Sequence, residues 1–242
     1  MPRIYISPST QEANIGVGSF GSEESQMNKI SEFLVAFLYK DGRFTVKYNF
    51  PSMSVAQIAT DSNNFKADLH LAIHSNAGGG EGTEVYAYGP GTNSERFAKA
   101  LYDQIAPLSP GKDRGVKYNK ALYEVGDRVN ATSALIELAF HDNAQDAQWI
   151  TTNTEQIANA LYKGVCDYYE YDYKALVVAP PVVAAVAPAT TFKRSISFDS
   201  PMEYPAIDPD VYIAARVRTS LVDKLMQGLK TGGFAVKKLD LP

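Results

Sequence analysis

The chain has 242 residues, 45% hydrophobic and 21% charged, with a formal net charge of −4; this fits one folded domain with an appendage and excludes a fibrous or disordered chain. The acidic balance argues against a nucleic-acid binder, whose phosphate-tracking surface normally needs a basic excess. The single cysteine, Cys166, excludes an internal disulfide, and no run reaches the roughly 18 apolar residues that span a bilayer.

Residues 3–7 read as a short strand ending at Pro8, followed by a Gly/Ser/Asn-rich loop from Ser9 to Ser22. Ser22 is a good N-cap for a helix with an acidic first turn. Met27, Ile30, Phe33, Leu34, Phe37 and Leu38 give that helix one buried face. Phe44–Tyr48 alternates like a strand, and Ser54–Ser62 predicts a short helix. Asp68–Ile73 is a nearly continuous apolar strand, as expected in the centre of a parallel sheet. Gly78–Gly82 reads as a flexible loop, Thr83–Tyr88 as a strand and Ser94–Ile105 as an amphipathic helix. Leu122–Val125 and Ala134–Leu138 predict strands, and Asn153–Tyr169 a closing helix. Strands alternating with helices predict an α/β three-layer sandwich, with a mostly parallel central sheet and helices on both faces. That domain is expected over residues 1–173. A Pro/Ala/Val-rich linker follows over 174–195, its prolines (Pro180, Pro181, Pro188) forbidding a membrane helix. Residues 196–242 form a small C-terminal βαβ appendage, with strands at 211–217 and 234–239 flanking a helix at 220–229. One such unit hardly buries a core alone, so it is expected to dock or self-associate.

Three stretches carry candidate chemistry. AIHSNAGG (72–79) ends the central strand with His74, at the edge where open α/β sheets place ligands. In ALIELAFHDN (134–143), Glu137 interrupts an apolar strand, where a carboxylate is costly unless paired or given work to do. In GSEESQMN (21–28), Glu24 sits in a helix first turn and is able to project toward the same end of the sheet. His70 lies four residues before His74 on the same strand face, about 13 Å away at ~3.3 Å per residue, too far to share one metal ion. It reads as a buried, hydrogen-bonded core histidine.

Taken with IYISPS, GTEVYAYGPGTNSERFAKAL, DRGVK (113–117) and LYEV (122–125), these stretches resemble the zinc-dependent N-acetylmuramoyl-L-alanine amidases of the type-3 family from Arg3 to about Tyr169. The branch with SPS-x-Q in its first strand, found among clostridial and phage endolysin-type enzymes, is the nearest in pattern. The resemblance implies zinc as cofactor, Glu24 and His74 as zinc ligands, and Glu137 as the catalytic carboxylate. It implies hydrolysis of the bond between N-acetylmuramic acid and L-alanine in bacterial peptidoglycan, with no nucleic-acid partner and no membrane span. The opening MPRIYISPS has no secretory pattern, so the expectation is cytoplasmic synthesis and later release to the wall, by a holin or in a phage-like particle.

The family's first ligand, a histidine in the loop after strand one, is missing from SPSTQEAN, where Thr10 or Ala13 takes its place. His141, just beyond Glu137, is one candidate third ligand; Gln11 and Asn14 are others. The alternatives are weak binding through two residues, or a chain disabled by alanine at position 13 that serves as a wall-binding or assembly module. Asn76 and Arg114 are candidate substrate contacts, Arg114 as a clamp for a stem-peptide carboxylate. The tail resembles half of a sporulation-related peptidoglycan-binding repeat, leaving wall attachment and homo-oligomerisation open.

Overall fold

The computed structural model describes residues 1–178; the linker beyond 178 and the C-terminal appendage lie outside the described residues. Six strands form one sheet: β1 (Arg3–Pro8), β2 (Thr45–Tyr48), β3 (Leu69–Asn76), β4 (Glu84–Ala87), β5 (Gly115–Tyr118) and β6 (Thr132–Phe140), in the order β2-β1-β3-β6-β4-β5. Every neighbouring pair is parallel except β4 with β6, so the sheet is mostly parallel with one antiparallel seam. β3 is flanked on both edges and covered on both faces, which is why LHLAIHSN is apolar almost throughout.

Among the described residues there are five α-helices: α1 (Glu23–Asp41), α2 (Val55–Phe65) and α3 (Asn93–Ile105) between strands, and α4 (Ala144–Thr152) and α5 (Thr154–Tyr168) after β6. Ser22 caps α1 by accepting from the Ser25 N–H, and Gly42 ends it in the left-handed region at φ 76°. α1 and α3 lie on one face of the sheet with α5 packed between them. The other face meets α2 and the irregular segment 119–130. There Leu122 and Val125 pack on Ala72, Leu135, Tyr86 and Tyr88.

The expected α/β sandwich is present; α4 (Ala144–Thr152) is a helix where no element was expected, and there are other local differences. Leu122–Val125 is a set of turns, not a strand, because its apolar residues lie flat on the sheet instead of joining it. Gly115–Tyr118, within the DRGVK region, is a short edge strand that four half-exposed residues do not advertise. The Gly78–Gly82 loop is pinned, with Asp142 accepting from the Gly78 and Gly79 N–H groups at 2.7 and 2.8 Å and Asp146 from Gly82 at 2.7 Å. A side chain at Gly82 (φ +85°) would meet the Lys112 backbone at 1.9 Å.

At the far end of α1, the fully buried Asp41 carboxylate accepts two 2.6 Å bonds from Arg43 and one from the Tyr162 hydroxyl. The Lys174 ammonium reaches the Asp41 carbonyl at 2.7 Å, and Arg43 reaches the Asp172 carbonyl at 2.8 Å. These bonds tie α5 and the chain after it to α1. Burial alone would raise the Asp41 pKa, but the Arg43 and Tyr162 hydrogen bonds outweigh it and hold the carboxyl well below its usual 3.8. A depressed folded pKa means the contribution is complete above the unfolded value and is lost as pH falls below about 4. Asp41→Asn is expected to cost about 2–3 kcal/mol at neutral pH and to flatten the acid limb of the wild-type stability curve, measured by urea unfolding from pH 7 downward. Equal acid slopes in both proteins would refute this.

Candidate functional site

The working face is set by strand register. His74 on β3 sits level with Glu137 on β6, and Glu137 sits level with Glu84 on β4. Side chains alternate faces along a strand, so His70, Ala72 and His74 share a face with Ser7, Leu135, Glu137 and Glu84. The crevice lies at the end of β3, closed from the side by the start of α1.

The carboxylate that α1 delivers is Glu23, one residue before the expected Glu24. Glu23 Oε1 lies 2.9 Å from His74 Nδ1 and accepts from the Ser75 N–H at 3.3 Å, while Oε2 accepts from Asn14 at 2.8 Å. The reason is helical phase. Glu23 precedes Met27 by four residues and shares the stripe of Met27, Ile30 and Leu34, all fully buried. Glu24 is turned a further 100° away and is only partly buried. The loop after β1 adds two carboxamides: Gln11 Nε2 is 3.4 Å from His74 Nδ1, and Asn14 Nδ2 donates to Gln11 Oε1 at 2.9 Å. Ala13, between them, is exposed.

His141 does not join this cluster. The β3–β6 register shifts between His74 and Asn76, so that Asn76 is level with Phe140 instead of Ala139. The extra residue reverses the alternation. Phe140 therefore shares the face of Glu137, and His141 falls on the opposite one. There it is 3% exposed, its Nδ1 is 2.9 Å from the Ser75 hydroxyl, and its ring stacks on Phe20 at 5.5 Å. It is a packed, hydrogen-bonded histidine.

Asn76 is also committed to the protein itself, donating to Glu84 at 2.9 Å and accepting from the Ala77 N–H at 2.9 Å. Glu84 is 1% exposed and accepts from Asn76, Tyr86, Arg114 and Lys117. Burial raises its pKa, but the Lys117, Arg114 and Tyr86 hydrogen bonds prevail and lower it. Arg114 binds Glu84 through Nε and lies over the Phe140 ring at 4.9 Å, its side chain 28% exposed beside the crevice.

Glu124 is the residue the sequence reading passed over. It projects from a turn, is 6% exposed, and stands between His70 and His74. A carboxylate in a coil segment has no periodicity to mark it. Its only signal was a charge between the apolar neighbours Tyr123 and Val125.

The electrostatics follow from these contacts. Burial lowers the His74 pKa, but the carboxylates of Glu124 and Glu23 on its two edges outweigh it and push the ring up to about 10. Burial raises the Glu23 pKa, and its bonds to His74 and Asn14 overcome that and lower it. Burial pushes Glu137 up to about 7, with the charges of Glu23 and Glu84 adding and that of His74 opposing. His74 Nε2 and Glu137 Oε2 are buried without a hydrogen-bond partner. An imidazole lone pair and a carboxylate oxygen 2.9 Å apart repel unless they share a proton or a cation, and the raised His74 pKa is that of a pair sharing a proton. Among the described residues, no trio of His, Cys, Asp or Glu is arranged to hold a metal. The Gln11 and Asn14 carboxamides turn their nitrogens to the pair, so a rotation of either amide plane would bring an oxygen round, and the Ser9 hydroxyl also hydrogen-bonds Glu23.

Comparison with known proteins adds sequence and fold evidence. Residues 4–167 match the family model described as N-acetylmuramoyl-L-alanine amidase. The chain is 25% identical over 193 residues to N-acetylmuramoyl-L-alanine amidase CwlM of Bacillus licheniformis, covering 76% of each. In fold it is similar to the catalytic domain of CwlV, an N-acetylmuramoyl-L-alanine amidase from Bacillus (Paenibacillus) polymyxa var. colistinus, with a TM-score of 0.65 and 18% identity over 71% of this chain and 100% of that one. It is also similar to the N-acetylmuramoyl-L-alanine amidase of Clostridium difficile 630, with a TM-score of 0.63 and 24% identity over 70% and 97%.

Proposed function

Starting from the fact that the chain belongs to the N-acetylmuramoyl-L-alanine amidase family, we propose that this peptidoglycan hydrolase cuts the bond between N-acetylmuramic acid and L-alanine with Glu137 as its proton carrier and a zinc ion held by Glu23, His74 and a carboxamide oxygen of Gln11 or Asn14. The observation that carries the reading is Glu137 itself, a half-buried residue whose Oε2 is buried and unpartnered, level with His74 and pushed up to about 7. A group with a pKa near the working pH is suited both to take a proton and to return it.

Glu137 takes the proton of the attacking water and delivers it to the nitrogen of the leaving L-alanine. Glu23 fixes the His74 ring from its Nδ1 edge, and the Ser75 N–H and Asn14 fix Glu23 in turn. When bound, zinc supplies Lewis acidity toward the scissile carbonyl and the water. Two strong donors and one carboxamide make a weaker set than the ligand sets usual for catalytic zinc, and the loop lacks its imidazole at Thr10 or Ala13. Arg114, held over Phe140 by Glu84, is proposed to meet a carboxylate of the stem peptide. Among the described residues no helix is long and apolar enough to cross a membrane.

The test is release of new L-alanine amino termini from purified walls, measured with zinc titration on the chain and on Ala13→His. Cleavage by the chain, lost on chelation and restored by zinc, is the expected result. Ala13→His is expected to tighten zinc by about tenfold or more, the scale on which single supporting groups tune metal sites. No amine release from either protein would overturn the reading; cleavage insensitive to chelation would overturn the zinc part alone.

A further inference from the structure

Glu124 and His70 form a buried pair that the proposed chemistry does not use. Glu124 Oε1 accepts from the Ser7 hydroxyl and from His70 Nε2 at 3.0 Å, while His70 Nδ1 lies 2.9 Å from the Ser62 hydroxyl. His70 is fully buried and stacked flat on Tyr5, with ring centroids 5.2 Å apart and planes 7° from parallel. One oxygen of Glu124 is thus saturated by three elements of the core: β1 directly, β3 through His70, and α2 behind His70. The other, Oε2, faces His74 Nε2 at 3.8 Å. Val125, next in sequence, anchors the turn in the Ala72–Leu135 cluster, and its carbonyl accepts from Ser133 at 3.1 Å.

We infer that Glu124 is a positioning residue for His74: it addresses the Nε2 edge of the ring from a carboxylate locked to Ser7 and His70, so that the Nδ1 edge is presented to Glu23 and the crevice. The inference rests on the reading of His74 as a working residue. His74 lies between two carboxylates with different tasks. Glu23, on the loop and helix side, belongs to the crevice; Glu124, on the sheet side, belongs to the scaffold. Histidines that work through one ring nitrogen are commonly fixed through the other, and losing such a partner typically costs 10- to 100-fold in activity or metal affinity. His70 gains a role by the same geometry. It is too distant to touch the crevice, but it aims the residue that aims His74.

The experiment compares wild type, Glu124→Gln and Glu124→Asp. It measures kcat and KM on walls, and the ring nitrogen resonances of His74 by NMR in metal-free protein. Glu124→Gln is expected to lower kcat about 10- to 100-fold with KM within about twofold, and to move the His74 Nε2 resonance. Glu124→Asp, which keeps the charge one methylene short, is expected to recover part of the lost kcat. Wild-type kcat in Glu124→Gln, or His74 resonances identical in the two proteins, would overturn the inference. Should wild type itself cleave no wall, the functional reading falls and the resonances alone decide this one: a shift supports it and no shift overturns it. If Glu124→Gln does not fold, Ser7→Ala takes its place with the same two readouts and a smaller expected change.

Discussion

Glu137→Gln is expected to lower kcat for wall cleavage by about 10²- to 10⁴-fold, the range associated with a single positioned acid–base group, while substrate binding and fold persist. The substitution is nearly isosteric, and Glu137 Oε2 has no hydrogen-bond partner to lose. Its effect on stability has a definite sign. The folded pKa of about 7 lies above the usual 4.5, so folding opposes ionisation of this group. In a metal-free protein that opposition removes stability progressively as pH rises from about 4.5 to 7, and the loss is constant above. A carboxamide at this position does not ionise. The variant is therefore expected to gain stability relative to wild type across that window and to keep the gain at higher pH. Activity within tenfold of wild type would remove Glu137 from the mechanism, and a variant less stable at pH 8 than at pH 5, relative to wild type, would contradict the burial argument.

The second large effect distinguishes two neighbours. Glu23→Gln is expected to reduce kcat by at least about 100-fold, since a direct partner of His74 should matter no less than an outer one, and to lower zinc content. Glu24→Gln, altering a partly buried side chain on the next helical phase, is expected to stay within about twofold. Metal analysis and kcat on the two purified variants settle the assignment. An equal loss in both, or a larger one in Glu24→Gln, would return the role to Glu24.

The legible parts of this molecule were those with a period. β3, β6 and the buried stripe of α1 follow from apolar spacing, and with them the placement of His74 beside Glu137. The stripe also contained the Glu23 assignment, because four residues before Met27 is Glu23 and four before Asn28 is Glu24. Two features had no period to betray them. Glu124 enters from a turn whose path depends on where Val125 packs. The extra residue in β6 is visible only in its pairing with β3, since Leu138, Ala139 and Phe140 are all apolar and fit either face. His141 was therefore expected on the wrong side of the sheet. The antiparallel seam escaped notice for a related reason: four-residue strands such as β4 and β5 carry too little sequence to declare direction.

The same extra residue makes β6 tolerant of a shorter length at one point. Removing a single residue between Glu137 and Phe140 would restore strict alternation and still leave Phe140 level with Asn76 on the face of Glu137, with His141 on the opposite face. Phe140 would keep its place under Arg114, and Ser75 its imidazole partner. Here a one-residue gap leaves the donors and supports where they are, so length can change without a change of chemistry.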